Sequence, residues 1–327
     1  MTCCDAANLT WCVLPEQDAA LQRLAEYRLV ILAGVYHISA ALQTALRAYV
    51  QQGGKLLADG ACGLYNLDGT RVREWTLADL AGGRLIQVLD QYQNAAWGAY
   101  LEPDQHDVWQ HVPPTLLPTG PVQYGVQAVD AKAVGRIRFP ATALTDTTWV
   151  NWWCPPPAAG ATEFPALLDH QDGLGRVFYV AYEFFRGRGQ GLHLTQALFQ
   201  GLIDQLLPDP SLQLISQTPE SVGLMAYRRG RSLIVHHLSH LAEKTGGETP
   251  LIAGGCLRLH ADRWTALKAA VVYPQEQELP LRREGHWIHV DLPPLQIHQL
   301  VVIELDKQPD QTGICVTHDS RENEKDK

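Results

Sequence analysis

The sequence predicts an α/β domain on an open, mostly parallel sheet with flanking helices, followed by a C-terminal antiparallel β-sandwich. Between Tyr27 and Leu80 a strand, a helix and a second strand follow one another as in a right-handed crossover. From Leu212 onwards the apolar period shortens to two, with turn residues at short intervals and no helical stretch between them. A length of 327 residues suits two domains better than one.

The elements run in order. Leu9 to Leu14 (LTWCVL) reads as a short strand, followed by acidic PEQD and a brief helical turn to Glu26. Arg28 to Ala33 (RLVILA) is the apolar run expected of a strand buried on both faces of a parallel sheet. Ser39 is placed to cap a helix, and Leu42, Ala45, Leu46, Tyr49 and Val50 recur at helical spacing behind it. Gly53-Gly54 ends that helix, because glycine accepts the left-handed conformation at a helix terminus. Lys55 to Ala58 restarts a strand at once. NLDGT then reads as a turn, and Arg84 to Leu89 as a further strand.

Residues 97 to 170 are rich in Pro, Gly and Trp and read as an irregular extension of the α/β domain. In GLGRVFYVAYEFF a glycine turn leads into an apolar strand. The GLG opens no helix, so it predicts a hairpin rather than a dinucleotide-binding turn. Leu192 to Leu207 is an amphipathic helix ended by Pro208, which closes a first domain of residues 1–208; DPSLQ is the linker. Val222 to Tyr227 and Ser232 to Leu238 flank RRGR as a hairpin. With Leu257 to His260, Leu267 to Val272, His286 to Leu292 and Ile297 to Leu305 they make a sandwich over residues 212–306. Residues 307–327 are charged and aperiodic, and predict a disordered tail.

Composition narrows the function. Apolar residues make up 46% and charged residues 19%, ordinary for a globular chain, and no apolar run approaches the ~20 residues of a spanning helix. The N-terminus lacks the basic-then-apolar pattern of a signal peptide, so the expectation is a cytoplasmic protein without a membrane partner. A net charge of −9 with no basic stripe disfavours nucleic acid. The cysteines (Cys3, Cys4, Cys12, Cys62, Cys154, Cys256, Cys315) are odd in number and form no CxxC or metal-ligand spacing, so free thiols are expected.

The run GGKLLADGACGLYNLDGT followed by LADL, together with GLGRVFYVAYEFF and SLIVHHLSH, resembles a known family arrangement. It is similar to the β-galactosidase trimerisation domain, a class I glutamine amidotransferase-like, flavodoxin-like module of multidomain glycoside hydrolases, with its following β-domain. In such enzymes catalysis belongs to a (β/α)₈ barrel. The stretch before Tyr27 is far shorter than the roughly 200 residues a barrel needs. The first strand and helix of the flavodoxin-like domain are also missing. The resemblance therefore implies a non-catalytic accessory or oligomerisation part, with partners among copies of itself, a glycosidase barrel subunit, or carbohydrate. It implies no cofactor and no metal.

Cys62 is the sharpest chemical candidate, as the nucleophile of a cysteine-dependent hydrolase or amidotransferase. In catalytic relatives of this fold the cysteine stands where a strand turns into a helix, whose N-terminus lowers the thiol pKa. Here GLYNLDGT follows it, which is turn chemistry, and Ala181-Tyr182-Glu183 stands where a histidine is needed. A small buried apolar role competes. Asp59 and Glu183 could meet at the carboxyl edge of the sheet, against readings in which Asp68 shapes its turn, Asp79 faces solvent and Glu183 pairs with Arg186 or Arg188. His236 and His240 share a strand face without a third ligand in sequence, and His286 and His289 point apart. Trp97, Trp109, Trp149, Trp152 and Trp153 are candidates for sugar stacking, as in a carbohydrate-binding module, or for an interface.

Overall fold

A computed structural model describes residues 3–4, 7, 9, 11–17, 21–89, 99–120, 122–141, 157–186, 192–208, 214–219, 221–241, 250–261 and 264–306. The chain divides into two compact units. One spans Leu14–Pro208, and the other joins Met1–Val13 to Asp209–Lys327.

The first unit begins with a 3₁₀ turn at Leu24–Glu26 and then the crossover: β1 (Leu29–Leu32), α1 (Ala40–Gln51) and β2 (Lys55–Asp59). The Ser39 hydroxyl accepts the Leu42 N–H at 3.1 Å, which starts α1. Gly53, at φ 109°, stops it. Tyr49 ties the helix to the sheet: its hydroxyl donates to the Tyr27 carbonyl at 3.1 Å and accepts the Lys55 N–H at 3.2 Å. Gly54 has no room for a side chain, because a Cβ would stand 2.5 Å from the Tyr49 ring.

Next come a one-turn helix, α2 (Ala78–Ala81), β3 (Gly83–Leu89), β4 (Tyr100–Glu102), a 3₁₀ turn at Asp107–Trp109, and β5 (Leu117–Pro118). β6 (Gln123–Ala128), β7 (Lys132–Val134), β8 (Arg136–Pro140) and β9 (Ala158–Ala161) follow. The unit ends with β10 (Leu167–Asp172), β11 (Gly175–Val180) and α3 (Leu192–Leu206). Within the extension expected to be irregular, β4, β5, β8 and β9 form a small antiparallel sheet ordered β5-β4-β8-β9, and β6 pairs with the preceding β3.

The main sheet runs β1-β2-β11-β10-β7 and corrects one expectation. β1, β2 and β11 pair in parallel, whereas β10 pairs antiparallel with both β11 and β7, so β10 runs against the other four strands and the sheet is mixed. The reason is local. Gly173, at φ 59°, and Leu174 join β10 to β11 as a two-residue hairpin, and a link that short cannot make a parallel crossover. The hairpin read from GLG is present; its effect on sheet polarity went unread. The described residues of Leu9 to Leu14 form no strand, contrary to expectation.

In the second unit the described residues between 214 and 306 fold as strands and their connections. β12 (Leu214–Gln217), β13 (Val222–Arg229), β14 (Ser232–Ser239), β15 (Cys256–His260) and β16 (Ala266–Tyr273) come first. β17 (Gln277–Leu279), β18 (Leu281–Glu284), β19 (Trp287–Asp291) and β20 (His298–Leu305) complete it. Two antiparallel sheets, β12-β15-β19-β18 and β13-β14-β20-β16-β17, enclose one core. Leu224, Leu233, Val235, Val301 and Ile303 face Leu257, Leu259, Ile288 and Val290 across it, with Trp264 buried among them. Each fully buried aliphatic side chain contributes about 1.5–3 kcal/mol. The RRGR hairpin is present, with Gly230 at φ 57° in its turn.

Candidate functional site

The candidate site is the carboxyl edge of the parallel strands β1, β2 and β11, where open α/β sheets bind ligands. Asp59 ends β2 and is 1% exposed. Its Oδ1 accepts the Gly34 N–H at 2.7 Å from the loop after β1, and its Oδ2 accepts the Phe185 N–H at 2.9 Å from the loop after β11. One carboxylate thus joins three strand ends. Burial pushes its pKa up and the charge of Glu183 adds to the rise, while the two backbone N–H groups and the Cys62 thiol pull the other way.

Cys62 lies in the turn after β2 and is fully buried. Its Sγ donates to the Leu32 carbonyl at 3.1 Å, approaches Asp59 Oδ1 at 3.6 Å, and accepts the Val35 N–H at 3.2 Å. Its carbonyl accepts the Trp75 indole N–H at 2.9 Å. The next helix in the chain begins only at Ala78, so Cys62 does not stand at a strand-to-helix turn. Burial, and after it the charge of Asp59, push the thiol up to about 12. A nucleophilic cysteine needs the opposite shift.

Glu183 follows β11 on the same edge. Its Oε1 accepts the Tyr36 hydroxyl at 3.0 Å, and both of its oxygens lie 3.3 Å from Arg186 Nη1. Arg186 Nη1 also donates to Tyr36 Oη at 2.7 Å, and Tyr124 Oη lies 3.5 Å from the carboxylate. Burial, then the charge of Glu183, raise the Tyr36 phenol pKa. Gly60, at φ 47°, brings the two carboxylate-bearing loops together, since a Cβ there would stand 3.1 Å from Glu183. The edge therefore does gather Asp59 and Glu183, but each is already engaged. The backbone acceptor role of Asp59 was missed from sequence. The only signal was an Asp-Gly step ending β2 beside the glycine that ends β1.

The remaining candidates resolve individually. Asp68 Oδ1 accepts the Thr70 N–H at 2.8 Å within its turn, and Asp79 is a solvent-facing partner of Arg47 at 2.8 Å. Trp109 is 5% exposed, with its indole N–H donating to Asp104 at 3.0 Å, so it offers no sugar platform. Trp97, Trp149, Trp152 and Trp153 lie outside the described residues, as does Arg188. His240 falls beyond the end of β14, and the ring facing His236 belongs to His298 instead, at 3.0 Å. His237 points into the sandwich, and burial lowers its pKa to about 4. His286 stacks on His260, and His289 lies 3.6 Å from Cys256. Cys62 and Cys256 carry free thiols. Among the described residues no group of three or more His, Cys, Asp or Glu is arranged around a metal position, and no helix is long and apolar enough to cross a membrane.

No family model and no curated protein matches this chain. Solved structures do. An α-L-fucosidase isoenzyme 2 from Paenibacillus thiaminolyticus matches with a TM-score of 0.65 at 18% identity, over 88% of this chain and 44% of its own. A cold-adapted β-galactosidase from Rahnella sp. R3 matches at 0.59 and 15%, over 92% of this chain and 35% of its own. A β-galactosidase from Bacillus circulans sp. alkalophilus matches at 0.53 and 14%, over 85% and 34%. This chain spans less than half the length of these enzymes, and the likeness is one of fold: its architecture is similar to part of theirs.

Proposed function

We propose that this chain is the accessory, non-catalytic part of a β-galactosidase-like glycoside hydrolase: the amidotransferase-like domain and the C-terminal β-domain that support a (β/α)₈ barrel lying outside these 327 residues. The observation that carries the reading is one-sided coverage. The glycosidase structures extend over 85–92% of this chain, while this chain fills 34–44% of them. The carboxyl edge supports it from within. A glycosidase needs an acid and a base or nucleophile about 5 to 10 Å apart with access to substrate. Here Asp59 is buried as a backbone acceptor and Glu183 is held by Tyr36 and Arg186.

The work of such a part is to hold the barrel, or copies of it, in one assembly. The cysteine-dependent alternative is disfavoured because the Cys62 thiol is fully buried and donates to the Leu32 carbonyl. The test is to assay the purified chain against aryl β-galactosides and α-L-fucosides. The reading expects no turnover above buffer. Saturable turnover lost on Asp59→Asn or Glu183→Gln, with the fold intact by circular dichroism, would overturn it.

A further inference from the structure

His236 on β14 and His298 on β20 are 62 residues apart in sequence and adjacent on the outward face of the same sheet. His236 pairs with Leu300 and Leu238 pairs with His298, so the two histidines are diagonal neighbours on one face. Their rings lie nearly parallel, at 12° with centroids 5.2 Å apart, and His236 Nδ1 stands 3.0 Å from His298 Nε2. Two imidazole nitrogens bound to one divalent ion, each at 2.0–2.1 Å and separated by a right to tetrahedral angle, lie about 2.9–3.4 Å apart. The observed separation falls inside that window before any metal is present.

We propose that His236 and His298 form a bis-imidazole clamp for a single borderline divalent cation of the Cu²⁺, Ni²⁺ and Zn²⁺ class. Both ligands stand on paired strands, so the backbone holds their spacing. Tyr227 packs edge-on against His236 at 5.6 Å, and Tyr273 packs against His298 at 5.3 Å. The final torsion of histidine is soft, so a turn of about 45° at each ring brings the two facing lone pairs onto a common point. One of the facing nitrogens carries a proton in the metal-free pair. On coordination that proton passes through solvent to the far nitrogen of its own ring, so two neutral imidazoles bind the ion without net proton release.

Imidazole ligands select this class of ion, with Cu²⁺ bound most tightly in the usual order of affinities. Met225 and Leu238, 48% and 42% exposed, are also on this face, where a carboxylate-seeking ion such as Ca²⁺ or Mg²⁺ finds no reason to bind. The remaining coordination positions face outward, open to water or to a further ligand. This proposal is independent of the glycosidase reading.

The test is a CuCl₂ titration of the full chain, followed by electron paramagnetic resonance and calorimetry. The expected result is one tight Cu²⁺ per chain with hyperfine coupling to two nitrogens. His236→Ala or His298→Ala should each weaken it by roughly a hundredfold, the usual scale of gain from a second ligand held at high effective concentration. His240→Ala should leave the affinity unchanged. To guard against a variant that fails to fold, Cu²⁺ is also added to the unaltered chain in substoichiometric amounts, where the imidazole signals of His236 and His298 should broaden first. Equal titrations of the unaltered chain and the His236→Ala/His298→Ala variant, or first broadening at other histidines, would overturn the clamp.

Discussion

Asp59 Oδ1 accepts the backbone N–H of Gly34 at 2.7 Å, and through that bond the end of β2 holds the end of β1. The other oxygen of the same carboxylate holds the loop after β11 at Phe185. A buried polar group that satisfies two backbone donors is costly to remove, because the donors are left without partners at about 1–3 kcal/mol each. Asp59→Ala should therefore lower stability by about 2–4 kcal/mol in urea unfolding. A loss below about 0.5 kcal/mol would show that the loops do not depend on it.

Glu183 and Arg186 form a more exposed pair, Arg186 having 71% of its side chain in solvent. Water screens such pairs, which contribute about 0–1 kcal/mol. Glu183→Gln should change stability by less than about 1 kcal/mol, in contrast with Asp59→Ala by the same assay. The two carboxylates share an edge and differ in role, and their unfolding curves should separate them.

Packing of α3 gives a sharper contrast. Gly201 lies on α3 where a Cβ would collide with the Val108 carbonyl oxygen of the 3₁₀ turn, while Gly160 on β9 has open space around it. Gly201→Ala should destabilise by about 1–3 kcal/mol, the usual scale of overpacking. Gly160→Ala should remain within about 0.5 kcal/mol. Thermal unfolding of the two variants side by side measures the difference.

A buried ion network sets one pH dependence. Asp169 accepts both forks of Arg176, at 2.8 and 2.9 Å, and lies 3.2 Å from His106 Nε2. Burial opposes its ionisation, yet Arg176 and then His106 outweigh burial and hold its pKa below the ordinary value. The unfolded chain therefore binds the proton more readily. Stability from this group is present above pH about 4 and is lost as pH falls through the lower folded value. Asp169→Asn should be less stable at neutral pH, and its stability should fall less than that of the unaltered chain between pH 5 and pH 2. Parallel curves for the two proteins would contradict the assignment.

Much of this architecture is legible along the chain, and the misses share a cause. The Ser39 cap, the apolar period of α1 and the RRGR hairpin are local signals, and each stands where the pattern places it. The reversal of β10 is written locally in the GLG hairpin, but that β11 lies beside β2 is not local, and sequence periodicity is silent on partners. The same holds at the site. Asp59 was visible as a strand-end carboxylate, but its partners are backbone N–H groups, which any residue supplies. His236 was visible too, yet its neighbour is His298, brought alongside by a strand 62 residues later rather than by the nearby His240.

The central claim is that the carboxyl edge of β1, β2 and β11 is a structural clamp and not a reaction centre. Alkylation of Cys62 by iodoacetamide in the native protein, followed by mass spectrometry against the same thiol in denaturant, tests it most directly. A rise of the thiol from 9.0 to about 12 leaves about a thousandfold less thiolate at neutral pH, at one decade per pKa unit. Burial slows the reaction further. The account predicts native labelling of Cys62 at least about a thousandfold slower than in denaturant. Native labelling of Cys62 at neutral pH that matches or exceeds the rate of the free thiol would contradict it.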